Sequence, residues 1–316
     1  MELIKAFSQK KTIIFLSNIS SLLDSSEYNR LIVLLNKLEV CGMTFIVGET
    51  FDTQLFFLTD TLYIIKSGQI IRILSGTQIC KEEIQKSLGS YSVLNTEKIF
   101  YPRKTAHDTV LRFENVSDTL FTDLSFTLKK GEVLKILCSN SAEAELLYNY
   151  LTQNRMPEKG EILFNELPFF KLSGKTLKKS CGIILANPRQ TMVLHNMSVL
   201  DNLCLSLDRK SPGILSNLTH RKGIEFELQG QIPAEYFNKQ IDSVPAEIVQ
   251  KIIYCRWLLS VPDLLVCINP FSIIDPELNY ISREMIRQLT KKGIAILIIS
   301  NNWSLDMEID GETFFL

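Results

Sequence analysis

Residues 128–147 have the outline of a loop that binds phosphate, but they lack the residue types on which such a loop depends. A phosphate is commonly held between a buried strand and the first amide groups of a helix. The hydrophobic run 133–138 predicts the strand, and the helix-favouring run 142–147 predicts the helix. The stretch therefore has the framework for anion binding, and its chemistry depends on the residues in between.

The connection between this strand and helix contains neither glycine nor lysine. Its residues are Cys138, Ser139, Asn140, Ser141, Ala142, Glu143 and Ala144. Glycine would permit positive φ angles, and lysine would neutralise phosphate oxygens. Glu143 and Glu145 bring negative charge instead, and two like charges about 4 Å apart at an effective dielectric constant of about 20 repel by roughly 4 kcal/mol. Tight ATP binding is not expected here, although these residues alone also fit an ordinary strand–helix connection that never bound phosphate.

Composition and charge exclude several classes of partner. The chain has 316 residues, of which 46% are hydrophobic, so it can form one large or two modest domains. A net charge of -1 provides no basic field for nucleic acid or acidic lipid. The amino terminus lacks the apolar core of a secretion signal, and the most hydrophobic runs, such as residues 293–299, are strand-length. A cytoplasmic location without a nucleic acid partner is expected.

The potential metal ligands are scattered along the sequence. The seven cysteines, at positions 41, 80, 138, 181, 204, 255 and 267, form no C-x-x-C pair, which favours reduced core thiols over disulfides or zinc. His107, His195 and His220 are far apart in the sequence. A lone histidine is more often a surface or core residue than a catalyst. No metal site is predicted.

An internal repeat relates the beginning of the chain to residues 251 positions later. Residues 14–18 correspond to residues 265–269, and both runs stop at an asparagine. Helical spacing follows in residues 25–39 and 276–291, and each helix ends before a glycine that leads into another apolar run. Fully apolar strands that alternate with amphipathic helices predict an α/β fold with parallel strands covered on both faces.

The segments around the repeats complete the domain plan. Residues 60–71 predict a β-hairpin, and a polar linker over residues 95–108 places a boundary near residue 105. Residues 111–116 and 124–128 read as alternating strands. Residues 208–243 are richer in Gly, Pro and polar residues, which predicts a mobile or helical insert.

Several segments of the sequence together resemble the ATP-binding-cassette (ABC) transporter ATPases. Residues 124–133 look like the strand pair before the phosphate loop, residues 160–165 like the hairpin after it, and residues 185–205 like the Q-loop region of a second cassette. Residues 250–258 are similar to the helix after the signature motif in the tandem-cassette monosaccharide importers. The resemblance covers most of the chain.

The resemblance implies a P-loop NTPase-like ABC ATPase fold in a shortened tandem arrangement. Residues 1–105 would form a partial cassette, from the Walker B strand to a C-terminal hairpin, and residues 106–316 a fuller, degenerate cassette. Where the family has an Asp-Glu pair after the Walker B strand, this chain has Ser17-Asn18 and Ile268-Asn269. No carboxylate is then available there to hold the water of magnesium or to polarise the attacking water.

The remaining ATP-contacting positions of the family also differ. The signature loop consists of Val244, Pro245, Ala246 and Glu247. Proline has no backbone N–H to donate to a nucleotide, and the glutamate would repel its phosphates. Glu49 and Ser300 stand at the histidine-switch positions. Asp24 and Asp275 match the D-loop, but a turn or helix-cap aspartate is an equally open alternative.

These departures imply a pseudo-ATPase with no catalytic residues and a regulatory or scaffolding role in sugar import. The alternative is an asymmetric ATP-binding subunit of a carbohydrate importer that works with an intact cassette. An enzyme unrelated to nucleotides is a third hypothesis. The implied partners are an ABC permease, an intact ABC ATPase or a signalling protein, and a permease would hold the chain at the inner face of the membrane. No cofactor is expected, and weak binding of magnesium-ATP is left open.

Overall fold

The computed structural model describes residues 2–9, 11–17, 19, 23, 25–49, 56, 58–66, 68–80, 83–84, 87, 109–205, 207, 218–271, 276–301, 309 and 311–316. The chain divides into two compact units, the first comprising Met1–Lys98 and Ile274–Glu277 and the second Ile99–Ile273 and Leu278–Leu316. No helix among the described residues is long and apolar enough to cross a membrane.

The first unit contains a strand–helix–strand motif and a hairpin. Its elements are α1 (Glu2–Ser8), β1 (Ile13–Ser17), α2 (Ser25–Val40), β2 (Thr44–Gly48), β3 (Thr61–Lys66) and β4 (Gln69–Ser75). β1 and β2 pair in parallel, and Leu31 and Leu35 of α2 pack with Leu16 in a small core. β3 and β4 form the predicted antiparallel hairpin, whose buried side includes Leu74.

The second unit contains two sheets. Its strands are β5 (Thr109–Ser117), β6 (Leu124–Lys129), β7 (Val133–Leu137), β8 (Lys159–Phe164), β9 (Leu167–Pro168), β10 (Cys181–Ile184), β11 (Leu264–Ile268), β12 (Ala295–Ser300) and β13 (Glu312–Phe315). The strands β10-β11-β12-β7-β13 form a parallel sheet in that order, and β6-β5-β8-β9 form an antiparallel sheet. The strands predicted before the connection at residues 138–144 are therefore confirmed.

The helices of the second unit cover the parallel sheet. They are α3 (Ser141–Leu151), α4 (Gly174–Ser180), α5 (Pro188–Thr191), α6 (Val199–Cys204), α7 (Leu218–Leu228), α8 (Ala246–Ser260) and α9 (Pro276–Lys291). α7 provides a helical part of the predicted insert, and residues 208–217 lie outside the described residues.

The parallel sheet separates two hydrophobic cores. Alternate residues of β11, such as Leu265, join one core with side chains of α8 and α9. The intervening residues, such as Val266, join the other core with β5, β6, β8 and α3. Both faces of the sheet are covered, as the continuous apolar strands predict.

The internal repeat has the same strand register in both units. Ile14 pairs with Phe45 in the first unit, and Leu265 pairs with Ile296 in the second, each 251 residues later. Gly42 and Gly293 have φ angles of 87° and 86° after α2 and α9, a conformation that glycine adopts without strain. The predicted strand–helix–strand repeat is confirmed.

All seven cysteines are free, but three of them differ from the expectation of core thiols. Cys138, Cys204, Cys255 and Cys267 are buried, Cys80 and Cys181 are partly buried, and Cys41 is exposed. Cys41 is exposed because it directly follows the last residue of α2.

Candidate functional site

The candidate anion loop lies at the carboxyl edge of the parallel sheet, where β7 leads into α3. Ligands of open α/β folds bind at this edge. The N–H of Cys138 donates to the carbonyl of Ser300 at 2.7 Å, so the chain is tied to β12 immediately after β7. The structure describes every residue from 138 to 144, and none of them has a positive φ angle. The loop therefore makes a direct strand-to-helix connection without a left-handed turn.

The carboxylate of Glu143 accepts two hydrogen bonds within this loop. Glu143 Oε2 accepts from the backbone N–H of Ser139 at 2.7 Å, and Oε1 accepts from Asn140 Nδ2 at 2.8 Å. In return, Asn140 Oδ1 accepts from the N–H of Glu143 at 3.0 Å, which makes Asn140 the N-cap of α3. Glu143 is buried, whereas Glu145 is exposed. The carboxylate of Glu143 therefore lies where a bound anion would contact the loop.

The environment of Cys138 is apolar and negatively charged. Burial raises the pKa of the Cys138 thiol to about 12, and the negative charge of Glu143 adds to the increase. A thiol with this pKa remains protonated near neutral pH, and only the thiolate is a nucleophile. Cys138 therefore belongs to the core and offers no covalent chemistry.

A chain of polar side chains connects the loop with the ends of β11 and β12. Asn301 Nδ2 donates to Ser141 Oγ at 2.9 Å, and the N–H of Asn301 donates to Asn269 Oδ1 at 3.0 Å. Asn269 itself has a φ of 44°, and its N–H donates to the carbonyl of Ile299 at 2.9 Å. The polar position beyond β12 is therefore Asn301.

Ser300 stands at the histidine-switch position that the resemblance implies, and its neighbour Asn301 was not identified from the sequence. Ser300 is the last residue of β12 and is buried within the sheet. Ser300 lies within the strand, whereas the side chain that contacts the loop belongs to Asn301. The run Ser300-Asn301 at the end of an apolar strand is the signal that could have identified it.

Leu316, the residue after β13, also contributes to the loop. Ser139 Oγ donates to the carbonyl of Leu316 at 2.5 Å, and the N–H of Leu316 donates to the carbonyl of Leu137 at 3.0 Å. The hydroxyl that follows β7 is thus engaged with the neighbouring strand. Sequence reasoning missed this contact because the two partners are far apart along the chain.

The signature-like residues lie at the start of α8. Val244 is buried, Pro245 is the N-cap residue without a side-chain cap, and Ala246 and Glu247 are partly exposed in the first turn. Val244 joins the core on the α8 and α9 side of the sheet, whereas the loop residue Cys138 joins the other core. The side chains of Cys138 and Val244 thus belong to the cores on opposite faces of the parallel sheet.

Other predicted site residues are distributed as follows. Ile268 is the last residue of β11 and is partly buried, and Ser17 is the exposed last residue of β1. Asn18, Asp24 and Asp275 lie outside the described residues, as does His107. Within the described part of the chain, no group of three or more His, Cys, Asp and Glu side chains could hold a metal ion.

Arg256 and Asn202 brace the Q-loop-like segment. The buried guanidinium of Arg256 donates to the carbonyl of Asn202 at 2.7 Å, to Asn202 Oδ1 at 2.8 Å and to the carbonyl of Met192 at 2.5 Å. The side-chain amide of Asn202 bonds both backbone groups of Leu194. Burial lowers the pKa of Arg256 to about 10, so it remains charged at neutral pH. The segment is fixed by a charged hydrogen-bond network.

A groove of about 660 Å³ lies beside this segment. Apolar side chains including Leu151, Leu177, Ile183 and Trp257 line it, together with Lys178. At Gly182, an added Cβ would come within 2.6 Å of the Trp257 ring, so glycine allows the indole to lie against β10. The groove is a mainly apolar surface next to a rigid loop.

Comparisons with known proteins agree with this architecture. No protein-family model matches the chain. The chain is 24% identical over 312 residues to the galactose/methyl galactoside import ATP-binding protein MglA of Pasteurella multocida, covering 95% of this chain and 61% of that protein. It is 26% identical over 322 residues to MglA of Haemophilus influenzae, with the same coverage of 95% and 61%. The chain thus spans about three fifths of the length of these curated relatives.

Solved structures identify the fold. An ATP-binding cassette of an ABC transporter in its ADP conformation has a TM-score of 0.55 and 17% identity, covering 66% of this chain and 87% of that one. A nucleotide-free ATP-binding cassette from an ABC transporter has a TM-score of 0.53 and 18% identity, with the same coverage of 66% and 87%. The chain has the α/β P-loop fold of an ABC ATPase cassette, and it is a homologue of the MglA-type import proteins at low identity.

Proposed function

We propose that this chain is a non-hydrolysing cassette protein of a sugar import system, with a regulatory or scaffolding role. The observation that carries the proposal is the Glu143 carboxylate, which accepts the Ser139 N–H at 2.7 Å. A bound phosphate would have to compete with an anion that is covalently part of the loop. It would also meet that negative charge without a lysine in the loop to offset it.

The end of β11 supports the same proposal. Hydrolysis requires a group that positions the attacking water and metal ligands that neutralise the developing charge. Ile268 has no polar side chain, and Asn269 has a neutral amide whose oxygen already accepts from the N–H of Asn301. An amide can orient water, but it cannot accept its proton at neutral pH. These residues provide a scaffold without general-base chemistry.

Calorimetric titration with magnesium-ATP and a phosphate-release assay on the full chain test the proposal. We expect any binding to be weaker than a Kd of about 1 mM. We also expect no phosphate release above a protein-free control. The ATP-binding protein MglA of Haemophilus influenzae serves as the control for nucleotide binding. Assays are repeated with a candidate permease or ATPase partner. Turnover by the chain that is abolished by Ser141→Ala or Asn269→Ala would overturn the proposal, because the activity would then depend on its own site.

A second candidate is an asymmetric ATP-binding subunit that works with an intact cassette on a carbohydrate permease. The groove of about 660 Å³ beside the segment braced by Arg256 favours it, since an apolar groove with rigid walls suits a helix of a partner. Thr191 lines this groove and is exposed. Thr191→Arg should therefore reduce co-purification with a permease in mild detergent, whereas Glu145→Arg outside the groove should not. Equal recovery of the permease with both variants would exclude this use of the groove.

A further inference from the structure

The parallel strands β1 and β2 expose an apolar face on the side opposite α2. Ile13, Phe15 and Ile46 are 56%, 76% and 49% exposed, and all three lie on this face. The other face, which includes Leu16, packs against α2. Parallel strands are normally covered on both faces, so a two-stranded parallel sheet with one bare apolar face is incomplete.

The internal repeat shows how the equivalent face is covered in the second unit. Ile13, Phe15 and Ile46 correspond, 251 residues later, to Leu264, Val266 and Leu297. These three counterparts are only 1%, 2% and 0% exposed. The same strand register therefore carries a buried face in one unit and an exposed face in the other.

The elements that bury the counterpart face are β7 and α3 together with the antiparallel sheet. β7 pairs in parallel with the edge of β12 from Ile296 to Ser300. Leu147 and Tyr150 of α3 belong to the same core as Val266 and Leu297. A strand–loop–helix segment thus completes β11 and β12, both by extending the sheet and by covering it.

Among the described residues, β1 and β2 form a sheet of two strands, so the outer edge of β2 lacks a paired strand. Unpaired N–H and C=O groups at such an edge favour the addition of a strand. A lipid surface would leave these groups without partners, so a polypeptide suits the edge better. A polypeptide segment that adds a strand to the edge of β2 and also covers the apolar face would satisfy both features.

We propose that this face, defined by Ile13, Phe15 and Ile46 with the outer edge of β2, docks a strand–loop–helix segment of a separate cassette-type polypeptide. The segment adds a parallel strand to β2 and lays the apolar side of its helix over Phe15. It is equivalent to residues 133–151 of this chain. The proposal does not depend on whether the second unit binds or hydrolyses ATP.

A second copy of this chain is the less suitable occupant. Its own strand–loop–helix segment is already in use, because β7 is paired on one edge with β12 and on the other with β13.

Site-specific photocrosslinking in cells that produce the full chain tests the proposal. A benzophenone amino acid replaces Phe15 in one sample and Val40, an 89% exposed residue on α2, in the control. We expect the probe at position 15 to label a peptide from the helix or strand beside the phosphate-loop region of another cassette-type polypeptide, at about tenfold higher yield than the probe at position 40. Labelling of a second copy or of lipid, equal yields at both positions, or no product would overturn the proposal.

The identified polypeptide is then titrated with the purified full chain. Phe15→Asp and, separately, Ile46→Asp should weaken binding at least about tenfold, whereas Val40→Asp should leave it unchanged. Because Phe15 is largely exposed, its substitution should leave the thermal unfolding midpoint nearly unchanged, which separates a docking defect from misfolding. Equal affinity of all three variants and the unmodified chain would contradict the proposed surface.

Discussion

The carboxylate of Glu143 accepts a hydrogen bond of 2.7 Å from the backbone N–H of Ser139. This bond closes the connection between β7 and α3 with a negative charge that belongs to the protein. Negative charge near the first turn of a helix is stabilising, because the free N–H groups there carry partial positive charge. The loop therefore obtains from its own side chain the electrostatic partner that a bound anion would supply.

Removal of the Glu143 carboxylate should destabilise the second unit. Glu143→Ala would leave the Ser139 N–H and the Asn140 side-chain amide without their acceptors, and hydrogen bonds to charged groups contribute about 1.5–3 kcal/mol. We expect the free energy of unfolding to fall by about 2 kcal/mol, measured by urea denaturation. Glu145→Ala on the exposed side of α3 is the matched control and should change little. Equal effects of the two substitutions would show that the internal bonds contribute nothing.

Acid should destabilise the same unit through Asp118. Burial alone would raise the pKa of this carboxyl, but hydrogen bonds from Tyr150 and Thr119 and the positive charge of Arg155 together lower it. Because the pKa in the folded state lies below that of the unfolded chain, the stabilisation is fully present above about pH 3.9 and is lost as the pH falls through the folded-state value. The difference in unfolding free energy between the unmodified chain and Asp118→Asn should therefore be largest above about pH 4 and shrink below it. Chemical denaturation between pH 2 and 6 measures this difference, and a constant difference would refute the linkage.

Cys138 should resist alkylation in the folded protein. With its pKa raised to about 12 by burial, and further by Glu143, the thiolate fraction at pH 8 is on the order of one in ten thousand. Cys41 is exposed and provides an internal comparison. Peptide mass spectrometry after iodoacetamide treatment should show Cys41 modified at least about a hundredfold faster. Comparable rates would mean that the core beside β7 opens readily.

Loss of the Arg256 guanidinium should release the segment between Met192 and Asn202. Arg256→Met would remove the hydrogen bonds from the guanidinium to Asn202 and to the carbonyl of Met192, at a cost of about 3 kcal/mol. Amide hydrogen exchange should accelerate in this segment before it does in β11. Arg287→Met, which removes a surface contact of 3.8 Å to Glu284, is the control and should leave exchange in the segment unchanged. Unchanged exchange in the Arg256 variant would show that packing alone holds the segment.

Local patterning predicted the strand–helix–strand repeats of this fold. The apolar runs before Asn18 and Asn269, together with Gly42 and Gly293, were sufficient for both strand–helix–strand repeats, because strand burial and helix termination depend on nearby residues. The order of the strands in the parallel sheet could not be predicted from local patterning. β13 lies beside β7 although the two are distant in sequence, and such pairing depends on long-range packing.

The residue types of the candidate site could be predicted from the sequence, but most of its hydrogen-bond contacts could not. The absence of glycine and lysine from residues 138–144 can be read directly from the sequence. The inward orientation of Glu143 was missed, although Glu143 and not Glu145 stands three residues after Asn140, a spacing typical of helix N-caps. Asn301 was missed because a side chain one residue beyond a strand has no periodic signal.

The pairing of β7 with two late strands determines when the loop can form during synthesis. Ser141 and Ser139 obtain partners at Asn301 and Leu316, which are 160 and 177 residues away along the chain. Contacts of such high sequence separation form slowly, because a long stretch of chain must be ordered before they give any stabilisation. On the ribosome, the loop residues emerge well before the strands that hold them. The accessibility of the Cys138 thiol in a nascent chain would thus mark the moment at which the second unit finishes folding.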